Sequence, residues 1–454
     1  MARLLDGVKV FELGIAIASP NAGKLLAHHG AEVYKVESPT SPDIVRLIGS
    51  AWLRDNEDLA PVAPDSSPYV SEMNAGKKSV ALDLKQPEAR EAALRLLAEC
   101  DVFLANYGAR ALAELGMDYE SVKKIRPDIV YVHLPGFGVD TESPYYSYVA
   151  WGPNQAPLVG IDDLTGHAGR EPAGIATVAP PDYLSSLHGA FCVITGLEQR
   201  DRTGEGVHVD IAQFETTVSL LLGPYVMDHA LTGNLQSRIG NRSPWYAPEG
   251  VYPCQGEERW IAISVEDDAA WQGLLSIGPE AWASDERFAD NDARMTNVEV
   301  LDEAVASWTA GFENTDLAER LQSAGVAAHI VSTNEDILQD PHVMNSGWFN
   351  ALPGARFTRD LASGFPFSMS ETPGSWDKAG PSTGEHTEQV LTEVAGLTAE
   401  ETQKLIDDKL AFTMDRPDLK IDRPYEQWLH VLFPRDAIDS RDLEEELNSS
   451  GGES

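Results

Sequence analysis

The chain has 454 residues, 43% of them apolar, with a formal net charge of −38. That length is two or three domains' worth, ample for a buried core, and no apolar run is long enough to span a membrane. So strong a negative charge, with no evident basic face, argues against a nucleic-acid partner.

Residues 8–13 read as a β-strand punctuated by Gly14, residues 20–29 as a helix stopped by Gly30, and residues 31–36 as a second strand. This is a βαβ unit of a parallel sheet without the Gly-x-Gly-x-x-Gly turn of a dinucleotide binder. Residues 38–68 are loop-rich, with prolines at 39, 42, 61, 64 and 68. Strands resume at 79–84, 102–105 and 128–133, with a helix over 88–100. The alternation predicts an α/β fold: a large doubly wound, Rossmann-like parallel-sheet domain with ligands at the carboxyl ends of its strands. Residues 14–20, 106–110 and 135–138 then share one rim.

Residues 178–188 carry the densest signal. Pro180 and Pro181 stiffen the approach to Asp182, and a helical pattern follows over 183–200, with Leu184, Leu187, Phe191, Ile194 and Leu197 about a turn apart. Asp182 thus falls where an N-cap belongs, facing unpaired backbone amides that favour its ionised form. A charged carboxylate there is a competent oxygen nucleophile, although a capping role alone also accounts for the residue. Further on, residues 233–253 read as a crossing segment, and residues 260–264 open a smaller α/β unit ending near 343. A Pro/Gly-rich return follows, with a helix over 398–409 and a frayed acidic tail at 444–454. The organisation expected is 1–225 as the large domain, 245–343 as the small one, and 350–454 as linker and return to the large domain. Cys100, Cys192 and Cys254 lack metal spacing and read as small buried hydrophobes of a reducing cytoplasm, so no metal is expected. The first seven residues are too polar and too few for a secretory signal.

Six motifs in order resemble the class III CoA-transferases, the superfamily of formyl-CoA transferase, carnitine CoA-transferase and 2-methylacyl-CoA racemase. They are Leu5-Asp6-Gly7-Val8-Lys9-Val10, the run from Gly30 to Glu37, the run from Asn74 to Leu84, Pro135-Gly136-Phe137-Gly138, Arg202-Thr203-Gly204-Glu205-Gly206 and Gly384-Glu385-His386-Thr387. The resemblance covers nearly all of the chain to about residue 410 and implies an interlocked homodimer. It puts Asp182 at the family's nucleophilic aspartate. The route implied runs from an acyl-CoA through an aspartyl anhydride to an aspartyl-CoA thioester, and then to an acceptor acid. Backbone N–H groups at the start of the Asp182 helix would then help to carry negative charge. Coenzyme A or acyl-CoA enters as substrate, with no tightly bound cofactor.

Resemblance also marks Lys77 and Lys78 as a cationic pair for CoA phosphates, and Asn106 and Tyr107 as neighbours of the adenine. Ile17 stands beside the thioester, where formyl- and oxalate-using members have glutamine. In place of their glycine lid, this chain has residues 241–248, with Arg242, Trp245 and Tyr246. A stiffer, more apolar cover suits a dicarboxylic or aromatic acceptor, with Arg242 as a candidate for a second carboxylate. Two rival readings stand beside this one. A racemase needs a histidine about thirty residues before the aspartate, where residues 148–155 hold none. A non-catalytic subunit of a heteromeric transferase would suit the missing glycine lid, though not the retained aspartate.

Overall fold

The computed structural model describes residues 3–38, 40–46, 65, 67–174, 179–353, 360–364, 366–375 and 378–414. The acidic tail read as frayed lies outside them. The chain divides into two compact units, one of Met1–Val159, Ala176–Pro224 and Gln339–Ser454, the other of Gly160–Ile175 and Tyr225–Leu338.

In the first unit, strands β1 (Lys9–Leu13), β2 (Glu32–Glu37), β3 (Lys78–Leu82), β4 (Val102–Ala105), β5 (Val130–His133) and β6 (Val207–Asp210) are joined by helical crossovers. Their spatial order is β3-β2-β1-β4-β5-β6, all parallel. This is the doubly wound sheet expected, with its switch point between β1 and β4. The central strands are buried on both faces, so they read as continuous apolar runs rather than alternations. Phe11, Phe103 and Tyr131 stack across β1, β4 and β5 at 5.6 and 4.5 Å between ring centres. A seventh strand, Ala411–Phe412, pairs antiparallel with β3 at the sheet's edge. It is reached through the Ala399–Asp407 helix, which Thr398 and Glu401 open as a reciprocal capping box.

The second unit holds a three-stranded antiparallel sheet of β7 (Glu249–Pro253), β8 (Trp260–Ser264) and β9 (Ala327–Ile330). Leu301, Val305, Leu317 and Leu321, on two of its helices, pack against Ile261 and Ile263. The crossing segment expected over 233–253 therefore ends in a true strand, because Val251 and Tyr252 find partners in Ala262 and Ile261. Among the described residues no helix is long and apolar enough to cross a membrane.

The helix expected over 183–200 is present as Pro180–Thr203, and its apolar run is divided between core and surface. Leu197 is buried, but Leu187, Phe191 and Ile194 are 55%, 64% and 40% exposed. The buried side is made of Ser185, Ser186, Gly189, Val193, Gly196 and Leu197. Small residues win this face because the helix lies close on its neighbours. A Cβ at Gly189 would come within 2.8 Å of Leu134, and one at Gly196 within 2.6 Å of Val130. Ser186 Oγ accepts a hydrogen bond from Asn21 Nδ2 on the Ala18–His28 helix at 2.7 Å. Cys100 and Cys254 are buried as expected, but Cys192, on this helix, is half-exposed.

Candidate active site

A cavity of about 340 Å³ opens beyond the carboxyl ends of β1, β4 and β5, where ligands of doubly wound sheets bind. Its walls include Ile15, Ala16, Asn106, Tyr107, Gly136, Trp151, Asp182 and Gln213. Three rim segments expected from the strand pattern thus meet around Asp182.

The β1 side of this wall is held from below. Ile15 N donates to Asn106 Oδ1 at 2.9 Å, and Asn106 Nδ2 returns a bond to Ile15 O at 2.8 Å. Ala16 occupies the left-handed region at φ 56°, strained for a residue with a side chain. Its N–H donates to Asp43 Oδ1 at 2.8 Å. Lys35, wholly buried, donates to Asp43 Oδ2 at 2.9 Å and to Gly14 O at 2.8 Å. Burial opposes the Lys35 charge, but Asp43 and Glu12 outweigh it and raise its pKa. On the β5 side, His133 Nε2–H donates to Tyr107 O at 2.6 Å. Burial lowers the His133 pKa to about 4, so the ring is neutral at pH 7 and fixes the Tyr107 turn as a donor.

Asp182 is not the cap that the sequence suggests. Its helix starts at Pro180 with Ala179 in the cap position, so Asp182 is the third helical residue and caps nothing. Pro180 supplies a fixed φ suited to a first turn, which moves the start three residues upstream of the periodic run. The carboxylate is 8% exposed and accepts no hydrogen bond among the described residues. Burial accordingly raises its pKa to about 6 rather than lowering it. The acid is still mostly ionised at pH 7, but as a poorly solvated anion. The amides expected to assist it are also spent: Pro180 and Pro181 have none, and those of Asp182 and Tyr183 both donate to Ala179 O.

The other expected site residues separate. Ile17 is half-buried, precedes the Ala18–His28 helix, and is not in the cavity wall. Lys77 is 2% exposed and donates to Glu12 Oε1 at 3.0 Å, Pro20 O at 2.7 Å and Asn74 Oδ1 at 3.0 Å. Its three ammonium hydrogens are all engaged inside the fold, and burial pulls its pKa down to about 8. Lys78 pairs with Glu32 at 2.8 Å. It lines a second cavity, of about 620 Å³, at the amino ends of β1, β2 and β3, together with Arg3 and Lys378. The lysine pair is therefore not brought to the wall around Asp182. In the second unit, Arg242 Nε bonds Asp302 Oδ2 at 2.8 Å in a cavity that it shares with Tyr252 and Glu299. Trp245 is 74% exposed and Tyr246 half-buried.

Sequence reasoning missed the wall opposite Asp182. Gln213 Nε2 donates to Leu134 O at 2.9 Å and its Oε1 accepts from Gln155 Nε2 at 2.8 Å, with both side chains buried. Gly152 leaves room for the carboxylate: a Cβ there would lie 2.9 Å from Asp182 Oδ2. The available signal was the Gly152-Pro153 pair, which marks a helix start. Among the described residues no histidine lines this cavity, and no metal-binding cluster occurs.

The family model for CoA-transferase family III matches residues 5–387. Succinyl-CoA–D-citramalate CoA-transferase of Chloroflexus aurantiacus is 30% identical over 89% of this chain and 97% of that one. Succinate–glutarate CoA-transferase of Agrobacterium fabrum is 30% identical over 86% and 95%. Among solved structures, a CAIB/BAIF family protein from Brucella suis superposes with a TM-score of 0.78 at 30% identity, covering 87% of this chain and 100% of that one.

Proposed function

The chain belongs to CoA-transferase family III, and from that premise we propose that it moves CoA from succinyl-CoA to a second dicarboxylic acid through covalent intermediates on Asp182. The buried, donor-free carboxylate in the wall of the switch-point cavity carries this reading. Asp182 adds to the thioester carbonyl carbon, the C–S bond breaks, and CoA leaves as thiolate. Thiolate then adds to the Asp182 acyl carbon and expels the donor acid, leaving an aspartyl-CoA thioester. The acceptor carboxylate attacks the same carbon and releases thiolate, which takes the acceptor's acyl group and frees Asp182. Holding thiolate and acid beside one carbon replaces two collisions, an advantage on the order of 10⁵–10⁸ M in effective concentration. A dry cavity also protects the anhydrides from water.

Succinyl-CoA and the C4–C5 dicarboxylic acids come from the acids named in the relatives. The cavity's lack of histidine supports transfer over α-proton exchange. Mass spectrometry of the enzyme mixed with succinyl-CoA and quenched with hydroxylamine or borohydride tests the route. An adduct on the Asp182 peptide is expected, and label confined to other peptides sinks it. Because the nucleophile must be ionised, kcat/KM should fall about tenfold per pH unit below a midpoint near 6. A midpoint near 4 would count against this environment for Asp182.

We also infer an interlocked homodimer. The exposed stripe of Leu187, Phe191 and Ile194 supports a second copy as its cover. Phe191→Glu is expected to shift the sedimentation coefficient to that of a monomer, whereas an unchanged dimer would remove this helix from the interface.

A further inference from the structure

Asp182 lies near the starts of two helices, and they differ in what they offer a negative charge. Its own helix, Pro180–Thr203, has no spare amide in the first turn. The Gly152–Val159 helix is arranged otherwise. Trp151 O accepts the amides of Asn154 at 3.0 Å and Gln155 at 2.9 Å, and Trp151 N donates to Asn154 Oδ1 at 2.6 Å. Pro153 has no N–H. Gly152 N–H is left as the amide of this turn with no acceptor among the described residues. It belongs to the residue that abuts Asp182 Oδ2. Among the described residues, a buried acid with no donor thus lies beside the residue whose helix amide has no acceptor.

We propose that the Gly152 amide is the oxyanion donor for attack on the acyl carbon of Asp182, an inference that rests on the aspartyl route above. When CoA thiolate adds to that carbon in the anhydride, the carbonyl π electrons move onto Oδ2, the oxygen beside Gly152. Collapse of the tetrahedral adduct restores the carbonyl and expels the donor carboxylate. Addition of the acceptor carboxylate to the aspartyl thioester charges the same oxygen, and collapse expels thiolate. No proton moves in either step. The amide and the positive end of its helix act on the charge that Oδ2 gains as each neutral acyl carbonyl becomes an adduct. In the first step the charge grows on the substrate's oxygen instead, so anhydride formation does not depend on Gly152. Its missing side chain has a separate role, since a Cβ would also press to 2.5 Å from Ala179 Cβ.

Gly152→Ala and Gly152→Pro both add a Cβ, and proline also removes the donor and closes a ring on the nitrogen, for which the glycolic-acid variant below is the control. The chain already opens one helix with Pro180-Pro181, so a proline pair at this start is compatible with helical geometry. Gly152→Pro is expected to fall below Gly152→Ala by about 10²–10³ in kcat, with KM for succinyl-CoA within a few-fold and an unchanged pH midpoint. Equal kcat values in the two would overturn the proposal. Should the proline variant melt early, glycolic acid placed at 152 by nonsense suppression removes the N–H without adding a Cβ, and the same loss is expected against wild type. Failure of the underlying route looks different: wild type would form no Asp182 adduct. An adduct of normal yield with equal Gly152 variants sinks the Gly152 role alone.

Discussion

Asp182→Asn is expected to abolish CoA transfer and to make the folded protein more stable. The loss follows from removing the proposed nucleophile, and comparable deletions cost about 10⁴-fold or more in kcat. The gain follows from the raised pKa. An aspartate near 3.8 in the unfolded chain and near 6 in the folded one binds more protons when folded between those values. Folding stability from this group therefore declines as pH rises from about 4 to 6 and stays reduced above that. At about 1.4 kcal/mol per pKa unit, the ionised carboxylate costs the folded state about 3 kcal/mol at pH 7. Asparagine fills nearly the same space without the charge. Denaturant unfolding at pH 7 should show the variant more stable by an amount approaching that figure, with the difference vanishing near pH 4. A variant equally or less stable at pH 7 would mean that the carboxylate is solvated or paired, and the case for a poised nucleophile would weaken with it.

Lys77→Met should be among the most damaging substitutions in the sheet, and Lys78→Met among the mildest. The two residues are adjacent and chemically identical, so only burial separates them. Lys77 is enclosed by Glu12, Pro20 O and Asn74 Oδ1. Removing it leaves Glu12, itself wholly buried, with Lys35 at 3.7 Å as its remaining cation. Stranding a buried charge in this way costs about 3–5 kcal/mol. Lys78 is a third exposed where it meets Glu32, so its pair is worth about 1 kcal/mol or less. Urea midpoints of the two variants check the contrast. Similar midpoints would show that the Glu12–Lys77 contact is not the enclosed pair described.

The sheet was legible in the sequence because its strands are short apolar runs between glycine and proline, and because β–α alternation admits few topologies. Asp182 was legible as a special residue, but its environment was not. Capping was inferred from local chain order, whereas the raised pKa comes from walls supplied by segments far away in the sequence. The same limit explains the Pro180–Thr203 helix. Periodicity marks an apolar stripe but cannot say whether the core or another surface takes it. Here the Ser185, Ser186, Gly189 and Gly196 face claims the core through close approach. Lys77 and Lys78 illustrate a third case, since a doublet in a lysine-poor chain gives no hint of which ammonium turns inward. Gly152 gives no signal of its role in the sequence, because a glycine has no side chain and the role proposed belongs to its backbone.

The antiparallel strand Ala411–Phe412 closes the open edge of β3, and this sets a timetable for biosynthesis. β3 leaves the ribosome more than three hundred residues before its cover is made. At about 5–20 residues per second, that interval is on the order of tens of seconds. Until residues 386 and 387 are made and bond Ser79 O and Ala81 N, the nascent chain presents an unpaired row of backbone donors and acceptors that invites pairing with another chain. Premature termination before residue 386 would make that exposure permanent, so such fragments should be client material for chaperones and proteases even though the six parallel strands and Asp182 have already been synthesised.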